Sequence, residues 1–191
     1  MLPQVMPTLS HQGVQLRAFE EQDVPLIQSV ADDDLIPLIT TVPRESTRAA
    51  AMAYIARQHE RLRSGVGYSF AIVDTRTDHA VGQIGLWVHN IHEGRASTGY
   101  WIAAPHRRRG HLVAALTALT DWALRLDDVH RLELHVEPWN QGSWRAAERC
   151  GYLREGLLRS WQQVGTQRRD MYVYSALPHR DARRRTEIPS D

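Results

Sequence analysis

Two short stretches of this chain gather residue types that hold anions and move protons. The first is Arg107, Arg108, Arg109, Gly110 and His111, followed by Leu112. An alternating apolar run ends just before it and a long apolar stripe begins just after it, so it reads as a strand-to-helix turn. A helix start presents unpaired N–H groups and a partial positive charge, which suit a phosphate or pyrophosphate. Gly110 lets the backbone approach such an anion without a Cβ in the way. Three arginines alone read more plainly as a solvated basic loop. The strand before and the helix after favour the phosphate turn, because they supply donors that a surface run lacks. The second stretch is His135, Glu137, Asn140 and Ser143. An imidazole with an ordinary pKa of ~6.5 is suited to take a proton near neutral pH, which makes His135 the first candidate base and Glu137 the second. Each has a plainer reading too. His135 can be a partly buried strand histidine, Asn140 a turn former or helix cap, and Ser143 an ordinary first-turn serine.

The elements that must position these residues follow from hydrophobic period. Val14, Leu16 and Ala18 alternate with Gln15, Arg17 and Phe19, a short first strand. Asp23 reads as an N-cap, with Pro25 in the opening turn of a helix. A second helix begins near Thr47, carries Met52, Ile55, Ala56, His59 and Leu62 on one face, and stops at Gly65. Residues 68–73, 81–89 and 98–103 read as three strands of an antiparallel meander, the first two joined by a turn over 74–79. The period then switches. Leu112, Ala115, Leu116, Leu119, Trp122, Ala123 and Leu126 form one helical stripe, the strongest periodic signal in the chain. A strand over 132–136, a short helix over 143–150 closed by Gly151, and strands over 153–158 and 170–176 complete the pattern. An α/β fold with a mixed, mostly antiparallel twisted sheet flanked by helices is expected over residues 12–177, with a disordered Arg-rich tail over 178–191.

These motifs resemble a known superfamily. Arg107, Gly110 and Leu112 fall on the fixed positions of the acyl-CoA signature R/Q-x-x-G-x-G/A of the GNAT N-acetyltransferases, Leu112 replacing the usual Gly or Ala. Asn140, Ser143, Gly151 and Tyr152 are similar to the N-x-x-S…G-[FY] segment of its ribosomal-protein N-terminal acetyltransferase branch, and Glu155-Gly156 extends the match. The resemblance implies a splayed strand pair that holds acetyl-CoA as co-substrate. The phosphate turn (residues 107–112) would take the pyrophosphate, backbone of Ile102 and Ala103 would polarise the thioester carbonyl, and Asn140 would lie beside the pantetheine arm. Ser143 would reach the sulfur. His135 stands five residues before Asn140, a spacing at which some members carry a Glu base. The Tyr that many members carry seven residues after the Asn, as acid for the thiolate, is Ala147 here. A homodimer through the late strands is also implied.

Composition bounds the alternatives. The chain has 191 residues, 42% hydrophobic and 24% charged, which fits one soluble domain. A net charge of +1 and no recognition motif argue against a nucleic-acid-binding domain that uses the arginines. Cys150, the one cysteine, excludes an internal disulfide, and no Cys/His spacing matches a zinc site; His89 and His92 are too isolated to argue a metal. No run approaches a membrane span and the N-terminus lacks signal-peptide blocks, so a cytoplasmic protein is expected. The run Asp32 to Asp34 reads as a solvated loop, or as a lure for a cationic amine. Three activities stay open: acetylation of a peptide N-terminal amine, acetylation of a small amine such as an antibiotic or polyamine, and a silent acyl-CoA-binding module.

Overall fold

A single eight-stranded sheet runs through the molecule in the order β1-β2-β3-β4-β5-β6-β8-β7. The computed structural model describes residues 2–178; the expected tail lies outside the described residues apart from Pro178. The strands are β1 (Leu9–His11), β2 (Val14–Arg17), β3 (Gly67–Asp74), β4 (His79–Trp87), β5 (Arg95–Ile102), β6 (Arg131–Val136), β7 (Leu153–Val164) and β8 (Gln167–Ala176). The helices are α1 (Val24–Ser29), α2 (Ile36–Ile39), α3 (Arg48–Arg63), α4 (His111–Ala123) and α5 (Gln141–Arg149). Every strand pair is antiparallel except β5 with β6. That one parallel pair follows from α4, which carries the chain back across the sheet before β6 begins.

Two cores form because the sheet is covered on both faces. Phe70, Ile84, Leu86, Leu132 and Leu134 face α4, where Leu116, Leu119 and Ala115 are fully buried. Each such leucine stabilises the fold by about 1.5–3 kcal/mol. Trp122 closes this layer edge-on against Tyr68 and Phe70, with ring centroids 5.0 and 5.8 Å away. The opposite face packs Ala71, Val73, Trp101 and Ala103 against Ile27 of α1 and Tyr54 and Ile55 of α3.

The structure departs from the sequence reading at several points. The sheet starts at Leu9, ahead of residue 12, because β1 pairs with β2. Asp23 precedes α1, but its carboxylate makes no helix cap. It binds Arg17 instead, through Nη1 at 2.8 Å and Nη2 at 2.9 Å, and accepts the Glu20 N–H. Helix α3 begins after Thr47 and ends before Gly65 as expected, yet its phase is shifted. Ala51, Tyr54, Ile55 and Gln58 are buried, while Met52, Ala56 and His59 are exposed. The cause is a buried polar chain: Ser69 Oγ donates to Gln58 Oε1, and Gln83 Nε2 donates to Ser69 Oγ, both at 3.0 Å. A glutamine in the core face is invisible to an apolar count. Finally, β7 and β8 form a hairpin much longer than 153–158 and 170–176, because most of β7 is exposed and shows no apolar alternation.

Candidate active site

Strands β5 and β6 separate in mid-course. They pair in register from Arg95 opposite Arg131 to Thr98 opposite Leu134, and no pairing continues beyond. β5 stays on β4 as far as Ile102, while β6 stays on β8 as far as Val136. The result is a wedge between Gly99–Ile102 on one side and His135–Val136 on the other. The Ala103 N–H donates to Val81 O at 3.0 Å, toward β4. Alternation along an extended strand therefore turns the Ile102 N–H toward the wedge. Of the two expected backbone donors, Ile102 keeps a free direction and Ala103 does not.

At the top of β5 the chain makes one 3-10 turn, Ala104–His106, and then the basic loop. Arg108 and Gly110 both adopt left-handed backbone, at φ 63 and φ 84. Gly110 is the N-cap of α4, and no side chain caps that helix. A Cβ at Gly110 would meet nothing within 4 Å, so the helix start is open to solvent. Its backbone donors fit a pyrophosphate and leave room for one. Arg108 and Arg109 are exposed around the same opening. Arg107 is turned away. Its Nε donates to Ile102 O at 2.9 Å and its Nη2 to Asp33 Oδ2 at 2.7 Å. It braces the loop rather than offering its charge to an anion. The His111 ring also points inward, with Nε2 3.1 Å from Asp74 Oδ2, which leaves its backbone N–H for the helix mouth. Leu112 packs on the α4 core.

Asp33 is not a solvated loop residue. It accepts N–H bonds from Leu35 at 3.0 Å and Ile36 at 2.9 Å as well as the Arg107 pair. Burial pushes its carboxyl upward, but the two N–H bonds and the guanidinium together hold it below the usual carboxylate range. Asp33 thereby ties the α1–α2 segment to the phosphate loop.

Below the wedge lies a pocket of about 590 Å³, between the α2 segment, α3, β6 and the β7–β8 hairpin. His135, Glu137, Asn140 and Ser143 all line it, so the structure brings the four sequence-level candidates together. His135 faces away from the α4 core that holds Leu134 and Val136, and its ring stacks on Trp161 at 5.5 Å. Burial, more than any neighbouring charge, moves this imidazole below its ordinary value; Glu133 opposes the shift and Arg131 adds to it. Glu137 is buried and occupied. The Trp139 Nε1–H donates to its Oε2 at 2.7 Å, and Arg169 stands 3.8 Å away. Asn140 caps α5 by accepting the Ser143 N–H at 3.2 Å through its side-chain oxygen, and its amide N–H groups remain for a ligand. Glu155 serves the sheet: it accepts from Arg131 of β6 and Ser175 of β8.

One residue was missed from sequence. The Tyr100 hydroxyl, on the splayed part of β5, lies 2.9 Å from Ser143 Oγ and donates to Ser143 O at 3.2 Å. Burial above all keeps this phenol well over its ordinary value, hence neutral. Ala147, where a tyrosine acid would stand in the resembling proteins, is fully buried and has no proton to give. A tyrosine in an alternating strand reads as packing, so Tyr100 gave no signal beyond its position at the end of the meander. Among the described residues, no group of three or more His, Cys, Asp or Glu side chains stands close enough to hold a metal ion, and no helix is long and apolar enough to cross a membrane.

The site is thus a wedge in a mixed sheet beside an uncapped helix start. The family model described as "Acetyltransferase (GNAT) domain" matches residues 14–153. The chain belongs to the GNAT acetyltransferase family and is an acyltransferase. An N-acetyltransferase named p20 from Bacillus licheniformis is 25% identical over 172 residues, covering 90% of this chain and 97% of that protein. Among solved structures, Mycobacterium smegmatis RimJ in complex with CoA-disulfide aligns with a TM-score of 0.74 at 22% identity, covering 90% of this chain and 86% of that one. The ribosomal-protein-S5-alanine acetyltransferase from Vibrio fischeri aligns with a TM-score of 0.71 at 15% identity, covering 91% and 97%. Both structures share the fold described above.

Proposed function

We propose that the protein transfers the acetyl group of acetyl-CoA to a primary amine at a peptide or protein N-terminus. The observation that carries this reading is the wedge itself, with proton-handling groups on both of its sides: His135 on the α3 side, and Tyr100 with Ser143 on the α5 side. The fold shared with the ribosomal-protein-S5-alanine acetyltransferase is compatible with a protein acceptor.

Acetyl-CoA, once bound, supplies an electrophilic thioester. The open start of α4 around Gly110 holds its pyrophosphate, and Arg108 and Arg109 add charge there. The Ile102 N–H hydrogen-bonds the carbonyl oxygen where negative charge develops. An amine is mostly protonated at neutral pH, so a base must first remove a proton. His135 is that base, because burial keeps its ring neutral and able to accept. Glu137 is already engaged by Trp139 and Arg169 and serves as a fixed charge behind it. Ser143 donates a hydrogen bond to the departing sulfur. When the Tyr100 hydroxyl turns its one hydrogen from Ser143 O to Ser143 Oγ, the serine hydrogen is free to point at the sulfur. Positioning by Asn140 and the wedge supplies much of the remaining rate. A homodimer through β7 belongs to the same reading, supported by the exposed Leu153 and Leu157; sedimentation velocity reads it.

The test is release of free thiol from acetyl-CoA across a panel of short peptides and small amines. Peptides are expected to be turned over with the higher kcat/KM. Preference for free polyamines over every peptide would replace the peptide reading with the small-amine one.

A further inference from the structure

The pocket beside the wedge is lined by a cation that has no carboxylate partner among the described residues. Arg61, in the last turn of α3, lays its guanidinium over the Trp87 indole, 4.3 Å from the ring centroid. The indole folds back across the sheet. A Cβ on Gly85 would come within 2.5 Å of its ring, and a Cβ on Gly99 would lie 3.7 Å from its Nε1. Gly85 and Gly99 are opposite each other on β4 and β5, so two glycines in register make the floor on which the indole lies. The indole in turn fixes the plane of the guanidinium by cation–π contact.

Arg61 uses one donor internally, Nη2–H to Thr41 Oγ1 at 3.2 Å. A guanidinium has five N–H donors, so this side chain, which lines the pocket, has several left over. Among the described residues no carboxylate forms an ion pair with it. The pocket's own carboxylate, Glu137, is held by Trp139 and Arg169. The nearby charge is Arg57, of the same sign; burial above all disfavours the Arg61 charge, Tyr54 opposes that shift, and Arg57 adds the smallest influence, in the same direction as burial. Thr98 Oγ1, which lines the same pocket from the α4 face of the sheet opposite Leu86, is also buried with no hydrogen bond among the described residues. Buried polar groups without partners are uncommon in finished sites.

We infer that the acceptor carries an oxyanion group, a carboxylate or a phosphate, close to its amine, and that Arg61 on its Trp87 platform receives it. This rests on the N-acetyltransferase reading above. For a peptide it means an acidic or phosphorylated side chain beside the N-terminal residue. A polyamine would bring further positive charge to a guanidinium that has no counter-ion.

The experiment compares matched acceptors: Ser-Glu-Ala-Ala against Ser-Gln-Ala-Ala, and Ser-phosphoserine-Ala-Ala against Ser-Ser-Ala-Ala. The two pairs tell carboxylate from phosphate. Wild type is expected to favour the anionic member of at least one pair by about tenfold to a hundredfold in kcat/KM, mainly through KM, the range that hydrogen bonds to charged groups supply. Arg61→Gln should abolish that preference while leaving acetyl-CoA affinity and turnover of the neutral peptides unchanged. Arg61→Lys should restore part of it. No preference in wild type, or a preference that survives in Arg61→Gln, overturns the inference. If no peptide releases thiol, titrating the same peptides into CoA-saturated protein decides the matter separately. Tighter anionic binding lost in Arg61→Gln upholds the anion site while the transferase reading fails. Equal or absent binding overturns the anion site as well.

Discussion

Tyr100→Phe isolates one hydroxyl at the centre of the proposed chemistry. The ring keeps its place against the α4 core, and only the oxygen 2.9 Å from Ser143 Oγ is lost. A neutral hydrogen bond contributes about 0.5–1.5 kcal/mol net. If all of it serves to orient the serine in the transition state, kcat falls about twofold to thirteenfold, since each 1.36 kcal/mol is tenfold in rate. Acetyl-CoA affinity should not move, because both hydrogen-bond partners of the hydroxyl among the described residues are atoms of Ser143. The assay is steady-state thiol release at saturating acetyl-CoA, run as a double-mutant cycle with Ser143→Ala. If Tyr100 acts through Ser143, the Tyr100→Phe change costs nothing further in the Ser143→Ala background. An equal loss in both backgrounds would refute the positioning role and point to direct action of Tyr100 on the substrate. Equal turnover by Ser143→Ala and wild type would remove both residues from the mechanism.

Three further outcomes are expected. Because burial lowers the His135 pKa, kcat at saturating acceptor should be level above about pH 6.5 and fall only as the pH drops through a lower value; Glu133 and Arg131 are the charges that act on it. Its contribution to stability has the same sense, present above the unfolded value of ~6.5 and lost as the pH falls. A pH profile for His135→Gln that keeps the wild-type limb and rate would exclude His135 as the base. Gly110→Val puts a branched side chain at φ 84, at a cost of about 1–2 kcal/mol, with its Cβ in the opening of α4. Calorimetry should show acetyl-CoA binding weakened tenfold or more, and unchanged affinity would count against the phosphate turn. Asp23→Ala leaves Arg17 buried without its bidentate partner. Loss of one partner of such a pair costs about 3–5 kcal/mol, or a fall in Tm of about 6–20 °C at 2–4 °C per kcal/mol, read by thermal denaturation; a fall under about 3 °C would mean that water reaches Arg17.

What the sequence disclosed and what it hid divide along one physical line. Elements with a clear hydrophobic period, or an apolar run bounded by turn residues, were legible: the meander β3–β5, whose first two strands are buried along most of their length, the α4 stripe, and α5 with Gly151 after it. So was Gly110, because a glycine at a strand-to-helix junction has few other uses. The length of the β7–β8 hairpin was hidden, since β7 is solvated along most of its course and carries no period. The phase of α3 was hidden by Gln58, a polar residue in a buried row. Side-chain roles that depend on distant partners were hidden as well. Arg107 looked like a phosphate ligand until Asp33, 74 residues away, appeared beside it. Arg61 and Trp87 lie on different elements with nothing in either local sequence to pair them. That His135, Asn140 and Ser143 share one pocket was legible because the turn after β6 keeps them close in both sequence and space.

The central claim is that acetyl-CoA lies along the free edge of β5 with its diphosphate at the start of α4. Backbone amide shifts recorded while acetyl-CoA is titrated into labelled protein test it directly. The largest changes are expected at Gly110, His111, Leu112 and Val113, with a second group at Tyr100 and Ile102. Saturating shifts confined to other elements, with the amides around Gly110 unmoved, would contradict it.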